Sequence, residues 1–191
     1  LSGNARAMLT AERSALNTVQ HLSGIATLTR RYVDAMQGKA ILLDTRKTIP
    51  GLRHLEKYAT RTGGAQNHRM GLWDAAMIKD NHVAVAGGVA EAVRRARDAG
   101  VKDIICEVDR IEQIEPALAA GASHLLLDNM DVATLREAVA VVAGRVPTEA
   151  SGGIDLETIG PKAATGVTYV SVGRITQSAP AADIGLDFTP L

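Results

Sequence analysis

The feature of this chain that most restricts its fold is a regular alternation of short apolar runs with longer helical stretches. From Asp103 onward, one apolar run follows another at intervals of roughly 20–25 residues, enough for a strand, a loop, a helix and a return. Such runs occupy residues 40–43, 75–78, 103–106, 125–127 and 169–172, with a weaker one at 147–149. Continuous apolar strands that alternate with helices are typical of a parallel sheet covered by helices, so we predict an α/β fold.

The stretches between these runs have the three- and four-residue apolar period of helices. Asp131 and Asp155 stand where N-caps are expected, and a glycine follows each helical stretch, as at many helix C-termini. We predict helices at 88–99, 111–120, 131–143 and 155–165. Upstream, residues 4–36 have the same period, and we expect Gly24 to divide them into two helices.

Two architectures fit a series of strand–helix units: an open doubly wound sheet and a barrel. The Gly-X-Gly-X-X-Gly turn of dinucleotide-binding folds is absent, which favours the barrel. Since only about six strands are recognisable, we predict an open parallel α/β barrel with fewer than eight clear strands. The expected division is a helical entry segment at 1–38 and the barrel at 39–191, and we expect the chain to be a fragment of a longer protein.

Composition excludes several classes of function. The 21 basic residues balance the 21 acidic ones, which argues against binding to nucleic acid or a membrane surface. The single cysteine, Cys106, cannot form an internal disulfide, and neither a signal peptide nor an apolar run of membrane-spanning length is present. We therefore expect a cytoplasmic protein.

Cationic side chains follow the first strands of the predicted barrel. In parallel barrels the carboxyl ends of the strands converge on one face, where catalytic groups collect. Guanidinium groups bind carboxylates and phosphates through paired hydrogen bonds, so a cationic cluster in a neutral protein indicates a polyanionic substrate. The candidates are Arg46, Lys47, His68, Arg69 and Lys79, with Arg13 on the N-terminal helix. Arg94, Arg95 and Arg97 are more simply interpreted as a solvated helix face.

Two carboxylates, Glu107 and Asp128, end neighbouring strands of the same predicted face. They fit a role in holding Mg²⁺ or in accepting hydrogen bonds from ribose hydroxyls, although neutralising nearby lysines stays an alternative. The glycine turns at 151–153 and 173–174 fit a phosphate site, because exposed backbone amides can face the anion. Tight turns are the simpler alternative for these glycines. No histidine has a partner at zinc-ligand spacing, and no Ser/His/Asp nucleophile arrangement is recognisable.

Several motifs together resemble one enzyme family. The chain contains DTRKTIPGLR at 44–53, NHRMGL at 67–72, IKDNH at 78–82, LLDN at 126–129, SGG at 151–153 and DIGLD at 183–187. These motifs resemble the decarboxylating quinolinate phosphoribosyltransferases, also called nicotinate-nucleotide pyrophosphorylases, over essentially the whole chain. The resemblance implies an open α/β barrel whose usual N-terminal α/β sandwich domain is absent here.

The resemblance also implies a reaction and a set of roles. Quinolinate and phosphoribosyl pyrophosphate (PRPP) would give nicotinate mononucleotide, CO2 and pyrophosphate with Mg²⁺ as cofactor, a step of NAD biosynthesis. The partners would be these two small molecules and a second subunit, in a homodimer or a higher oligomer, with Arg13 completing the partner's site. Quinolinate binding is implied for Arg13, Thr45, Arg46, Lys47, His68, Arg69 and Lys79, and catalysis for Lys47, Lys79, Glu107 and Asp128. Phosphoribosyl binding is implied for Glu107, Asp128, Ser151, Gly152, Gly153, Val172, Gly173 and Arg174, and metal binding for Glu107 and Asp128.

Three positions depart from the family pattern. Ile105 stands where an acidic residue is common, and Arg174 and Gln177 replace a small residue and a histidine. Phosphate affinity is therefore expected to differ. Two alternatives stay open at this point, namely a related phosphoribosyltransferase that acts on another aromatic carboxylate and a barrel that binds its ligand without turnover.

Overall fold

The central element of the fold is a six-stranded sheet in which every paired strand is parallel. The structure, a computed structural model, describes residues 1–188. In sheet order β1-β6-β5-β4-β3-β2, strands β1 and β2 are the two edges and are not paired with each other. The strands are β1 (Ile41–Leu43), β2 (Ala76–Ile78), β3 (Ile104–Val108), β4 (His124–Asp128), β5 (Thr148–Ser151) and β6 (Tyr169–Ser171). The prediction of an open parallel barrel with fewer than eight strands is confirmed.

Helices connect the strands in chain order. They are α1 (Ala5–Met36), α2 (Arg53–Thr62), α3 (Asp80–Ala86), α4 (Val89–Asp98), α5 (Ile114–Ala120), α6 (Val132–Val142), α7 (Ile159–Ala163) and α8 (Arg174–Gln177), with a short 3₁₀ turn at Ile111–Gln113. The sequence did not predict α3, because it begins within the polar motif that follows β2. None of the helices described within residues 1–188 combines the length and the apolar character needed to span a membrane.

The period-two alternation of strand side chains separates the core from the barrel interior. Leu125, Leu127, Ala150 and Val170 are fully buried and belong to the hydrophobic core formed with the surrounding helices. The intervening strand residues face the opposite side of the sheet, where Leu126, Asp128, Glu149, Ser151 and Ser171 line a cavity. The same strands therefore supply both the core that stabilises the fold and the groups that line a candidate site.

The expected break of the first helix at Gly24 is wrong. Helix α1 is continuous over its 32 residues. A Cβ atom at Gly24 would collide with the carbonyl oxygen of Pro180, and the backbone amide of Ala182 donates to the carbonyl oxygen of Gln20 (2.9 Å). Gly24 therefore gives the C-terminal segment room to pack on α1, at a cost in helix propensity of about 1 kcal/mol relative to alanine.

Of the two expected N-caps, one is confirmed and one is wrong. The Asp131 carboxylate accepts a hydrogen bond from the amide of Thr134 (2.8 Å) at the start of α6. Asp155 accepts from the amides of Glu157 (3.0 Å) and Thr158 (2.9 Å), but α7 starts only at Ile159, with Thr158 as its N-cap. Asp155 therefore caps the turn that leads into α7, which is shorter than predicted.

Candidate active site

A cavity of about 510 Å³ lies at the carboxyl ends of the barrel strands. This volume is within the range of small-molecule sites. The cavity is lined by all of the predicted quinolinate- and phosphoribosyl-binding residues except Arg13 and Glu107. Residues distant in sequence, such as Arg46, Arg69 and Lys79, therefore share one site, as the strand-end pattern predicted.

Two arginines of the cavity, Arg46 and Arg69, form no ion pair with a carboxylate among residues 1–188. The Nε atom of Arg46 is buried and has no hydrogen-bond partner among residues 1–188. Burial lowers the pKa of Arg69, the nearby positive charge of Arg46 lowers it further, and the carboxylate of Asp74 opposes both effects. Arg69 Nη1 donates to the carbonyl oxygen of Ala75 (3.1 Å). Desolvated guanidinium groups with free donors favour a carboxylate or phosphate ligand.

Arg53, which the sequence analysis quoted only as part of a motif, joins the two cationic loops. Its guanidinium donates to Thr48 Oγ1 (3.1 Å) and to the carbonyl oxygens of Arg46 (3.2 Å) and Met70 (3.3 Å). The segment after β1 and the segment before β2 are thus bound to one side chain of α2. Arg53 fixes the spacing between the loops that contain Arg46 and Arg69.

Asp44, the first residue of the motif after β1, forms a buried polar cluster beneath the cavity. Its carboxylate is paired with Lys57 and accepts hydrogen bonds from Thr60 Oγ1 (2.8 Å), Asn67 Nδ2 (2.7 Å) and the amide of His68 (2.8 Å). Asp44 and Lys57 are both buried. Burial lowers the pKa of Lys57, and the ion pair with Asp44 opposes that shift. The cluster attaches the loop at 67–69 to the end of β1.

A second buried carboxylate, Glu149 on β5, was missed by the sequence analysis. Its Oε2 lies 3.2 Å from His68 Nε2 and 3.1 Å from His124 Nε2. The His124 nitrogen does not meet hydrogen-bond geometry, so it is an electrostatic neighbour, and its ring stacks on Tyr169 at a centroid distance of 5.5 Å. Burial alone would raise the pKa of Glu149, but the His124, His68 and Ser171 side chains outweigh burial and lower it to about 2.

The two carboxylates proposed for metal binding differ in their surroundings. Glu107 is paired with Lys79, and its side chain is only 12% exposed. Asp128 lines the cavity, with Lys162 near enough to interact with it electrostatically. No cluster of three or more potential metal-ligating side chains was found in the described part of the chain. Mg²⁺ commonly takes one or two carboxylates and completes its shell with water and substrate phosphates, so Asp128 fits such a site better than the paired Glu107.

Glycines at the ends of β5 and β6 shape the opposite side of the cavity. Gly152 has a φ of +90°, and a Cβ atom there would lie 2.8 Å from the backbone nitrogen of Asn129. A Cβ atom at Gly173 would lie 2.8 Å from Lys47 Cδ. Gly152 therefore requires glycine, whereas at Gly173 the flexible Lys47 side chain could move aside. Lys47 and Arg174 also line this end of the cavity.

The residues that depart from the family pattern separate into two groups. Arg174 and Gln177 both line the cavity, so they are placed where they can affect a ligand. Ile105 is buried on β3 and does not line the cavity. Its apolar side chain therefore belongs to the interior of the fold.

The other arginines singled out in the sequence lie elsewhere. Arg13 is exposed on α1 and does not line the cavity of its own chain. Arg94 and Arg95 both pair with Glu91 on the solvent face of α4, and Arg97 is likewise exposed. The prediction that the α4 arginines form a solvated face is confirmed.

The amino-acid sequence matches one family of known proteins. Residues 25–187 match the model of the C-terminal domain of quinolinate phosphoribosyl transferase. A Mycobacterium leprae protein named nicotinate-nucleotide pyrophosphorylase (carboxylating) is 51% identical over 189 residues, which cover 96% of this chain and 66% of that protein. A Bacillus subtilis protein with the name "probable nicotinate-nucleotide pyrophosphorylase (carboxylating)" is 47% identical over 192 residues, or 99% of this chain and 66% of that protein.

Solved structures agree with these sequence matches. The nicotinate-nucleotide pyrophosphorylase from Francisella tularensis superposes with a TM-score of 0.91 at 47% identity and covers 95% of this chain. The alignment spans 65% of the Francisella chain. This chain therefore represents about two thirds of the length of the relatives that it matches.

Proposed function

The chain belongs to the quinolinate phosphoribosyltransferase family, and we propose that the protein containing it transfers the phosphoribosyl group of PRPP to quinolinate. The products would be nicotinate mononucleotide, CO2 and pyrophosphate. The observation that carries this proposal is that Arg46 and Arg69 lie in one cavity and that neither forms an ion pair with a carboxylate among residues 1–188. Quinolinate, with two adjacent carboxylates, would supply the missing negative charge.

In this proposal the cationic loops bind the acceptor. The two carboxylates of quinolinate would be oriented by the cavity residues that follow β1 or flank β2, namely Thr45, Arg46, Lys47, Arg69 and Lys79. Holding the pyridine nitrogen against the anomeric carbon replaces a collision between two free molecules by a reaction within one complex. The proposed reaction requires no covalent nucleophile from the protein.

The glycine-lined end of the cavity would receive the phosphoribosyl group. We assign the ribose hydroxyls to Asp128, which lines the cavity, and to Glu107, which does not line it in this structure. The 5′-phosphate is assigned to Ser151, Gly152, Gly153, Val172, Gly173 and Arg174. Asp128 would hold Mg²⁺, whose chemistry there would be to neutralise charge on the leaving pyrophosphate. Because Glu107 is paired with Lys79, it could bind a ribose hydroxyl or Mg²⁺ only after this ion pair opens.

The proposed chemistry has two stages. The pyridine nitrogen forms a bond with the anomeric carbon as the bond to pyrophosphate breaks, and Lys47 and Lys79 compensate the charge of the leaving group. The 2-carboxylate then departs as CO2, and the quaternised ring nitrogen stabilises the electron pair that is left on the adjacent carbon. A proton from solvent takes the place of the lost carboxylate.

Release of CO2 tests the proposed reaction. The complete protein, supplied with PRPP, Mg²⁺ and quinolinate labelled in its 2-carboxylate, should release labelled CO2 at a rate that depends on all three components. Nicotinate, which lacks the 2-carboxylate, is the matched control. Nucleotide formation from nicotinate but not from quinolinate would indicate a related transferase, and binding of quinolinate without any product would indicate a binding protein.

The proposal includes a homodimer in which Arg13 completes the partner's site. It is supported by the exposed position of Arg13 away from its own cavity. Mixing Arg13→Ala and Arg69→Ala subunits should restore activity, because one site of each mixed dimer would retain both arginines. If the mixture is no more active than either variant alone, Arg13 does not act across the interface.

We also propose that the protein works in the cytoplasm. Its lack of an apolar helix long enough to span a membrane among residues 1–188 is compatible with this location. Plant relatives are named as chloroplastic or mitochondrial proteins, so the compartment differs within the family. Fractionation of source cells, followed by detection of the protein, would test the assignment.

A further inference from the structure

His68 uses both of its ring nitrogens within the protein. Nδ1 accepts a hydrogen bond from the backbone amide of Arg69 (2.7 Å), and Nε2 lies at hydrogen-bond distance from Glu149 Oε2 (3.2 Å). A backbone N–H group can only donate, so Nδ1 must carry a lone pair. The ring proton must then be on Nε2, from which it is donated to the carboxylate.

This tautomer leaves His68 without a donor for the substrate. A carboxylate ligand needs an N–H group, and the single N–H of the neutral ring points to Glu149. Protonation of Nδ1 would break the bond from the Arg69 amide. The His68 side chain is also only 8% exposed, which fits a supporting role better than a direct contact with quinolinate.

Glu149 lines a cavity proposed to bind an anionic substrate, although its negative charge opposes the binding of an anion. Its presence there therefore calls for an explanation. Its side chain is fully buried on β5, and the polar groups close to it are on His68, His124 and Ser171. Among the described residues, His68 is the one of these three that is hydrogen-bonded to an arginine of the cavity, Arg69. The Arg69 side chain is fixed at its far end by the bond to Ala75 and at its backbone by the bond to His68.

We propose that Glu149 is a positioning residue that acts through the neutral, Nε2-protonated His68 ring to fix Arg69 for quinolinate. The inference rests on the proposed function for the identity of the substrate. It changes the role of His68 from a quinolinate-binding residue to the middle of a relay from Glu149 to Arg69. The arrangement of the relay itself does not depend on which anion binds.

The protonation state of His68 gives the first test. In the complete protein labelled with ¹⁵N-histidine, the His68 spectrum at neutral pH should show a non-protonated Nδ1 and a protonated Nε2, both before and after quinolinate is added. His68→Gln identifies the signal. A doubly protonated ring, or a ring that gains a proton when quinolinate binds, would overturn the relay, and this result is obtained whether or not quinolinate is turned over.

Two substitutions of Glu149 give the second test. Glu149→Ala removes the acceptor of the Nε2 proton and should raise the KM for quinolinate about 10- to 100-fold while the KM for PRPP changes much less. Glu149→Gln keeps an acceptor oxygen and should restore most of the quinolinate affinity. The exposed carboxylate variant Glu91→Gln is the control and should behave as wild type.

The outcomes separate the relay from a general structural role. Equal effects on the KM of both substrates, or a Glu149→Gln protein no better than Glu149→Ala, would contradict it. If Glu149→Ala does not fold, the glutamine variant and the His68 spectrum still decide the question. Failure of the wild-type protein to use quinolinate would instead count against the proposed function and leave the spectroscopic result to judge the relay.

Discussion

The arginines of the cavity and those of helix α4 differ in whether they form ion pairs with carboxylates of the protein. On α4, Arg94 and Arg95 share the carboxylate of Glu91, and the arginine side chains are 53% and 60% exposed. Around the cavity, three carboxylates instead contact other side chains: Asp44 pairs with Lys57, Glu107 pairs with Lys79, and Glu149 contacts His68. Arg46 and Arg69 are left unpaired among the described residues.

This difference shows how a chain with equal numbers of acidic and basic residues can still present a local positive site. Exposed ion pairs contribute only about 0–1 kcal/mol each to stability, because water already solvates both partners. A desolvated arginine without a partner gains far more from an anionic ligand. The position of the carboxylates therefore decides which arginines are available to a substrate.

The strongest test of the comparison is Arg69→Ala. Removing one guanidinium should leave a substrate carboxylate unpaired in a desolvated site, at a cost of about 2–5 kcal/mol. We expect a rise in the KM for quinolinate of about 30-fold or more, or loss of turnover. Steady-state kinetics measure this effect, and wild-type constants would remove Arg69 from the proposed site.

Asp44→Asn tests the buried pairing beneath the cavity. It leaves Lys57 without its counter-ion, so the free energy of unfolding should fall by about 3–5 kcal/mol. Denaturant titration measures the change. Asp98→Asn, at an exposed carboxylate beside Arg97, is the matched control and should change the free energy of unfolding by less than about 0.5 kcal/mol. Comparable losses in both variants would show that burial does not distinguish the two sites.

Asp128→Asn separates the two ends of the cavity. Loss of a charge-assisted contact to the ribose or to Mg²⁺ should weaken PRPP use by about 1.5–3 kcal/mol, or roughly 10- to 100-fold in KM. The quinolinate KM should change less, because the arginines stay in place. Equal weakening of both substrates would assign Asp128 a structural role instead.

Glu149→Gln should change how stability depends on pH. The pKa of Glu149 is lowered to about 2 from 4.5, so its charge stabilises the fold above pH 4.5, and this stabilisation is lost as the pH falls towards 2. At neutral pH the variant should be less stable by about 2–3 kcal/mol, because the lowered pKa is worth about 1.4 kcal/mol per pKa unit and the neutral amide lacks this stabilisation. Thermal unfolding of both proteins from pH 7 to 2 should show the difference disappearing, and a constant difference would contradict the shifted pKa.

The smallest expected effect is that of Arg94→Ala. Its guanidinium pairs with Glu91 in solvent, so unfolding free energy should change by no more than about 0.5 kcal/mol, and both KM values should stay at wild type. A kinetic defect comparable to that of Arg69→Ala would break the distinction between the two groups of arginines.

The strands and the cationic end of the site were predictable because their signals are local. An apolar run followed by polar residues marks the carboxyl end of a buried strand, and in a parallel barrel such ends converge. This is how Arg46, Lys79 and Asp128 could be assigned to one cavity before any coordinates. The family motifs then added roles that the spacing alone does not supply.

The supporting residues were not predictable because their partners are distant in sequence. Glu149 is a single acidic residue in a weak apolar run, and its partners His68 and His124 are on other elements. A charged residue among buried neighbours on a strand was the one available signal. Gly24 was misinterpreted for the same reason, since helix propensity does not show that Pro180 packs against it.

The close approach of Pro180 to Gly24 links the segment after the last helix to the first helix. Because the segment around Pro180 packs against α1 at Gly24, any larger residue at this position would push that segment away from the helix. That segment begins directly after Gln177, at the rim of the cavity, and the helix presents Arg13 on its outer surface. A substitution at Gly24 would therefore disturb the contact between the helix that carries Arg13 and the segment that follows the cavity residue Gln177.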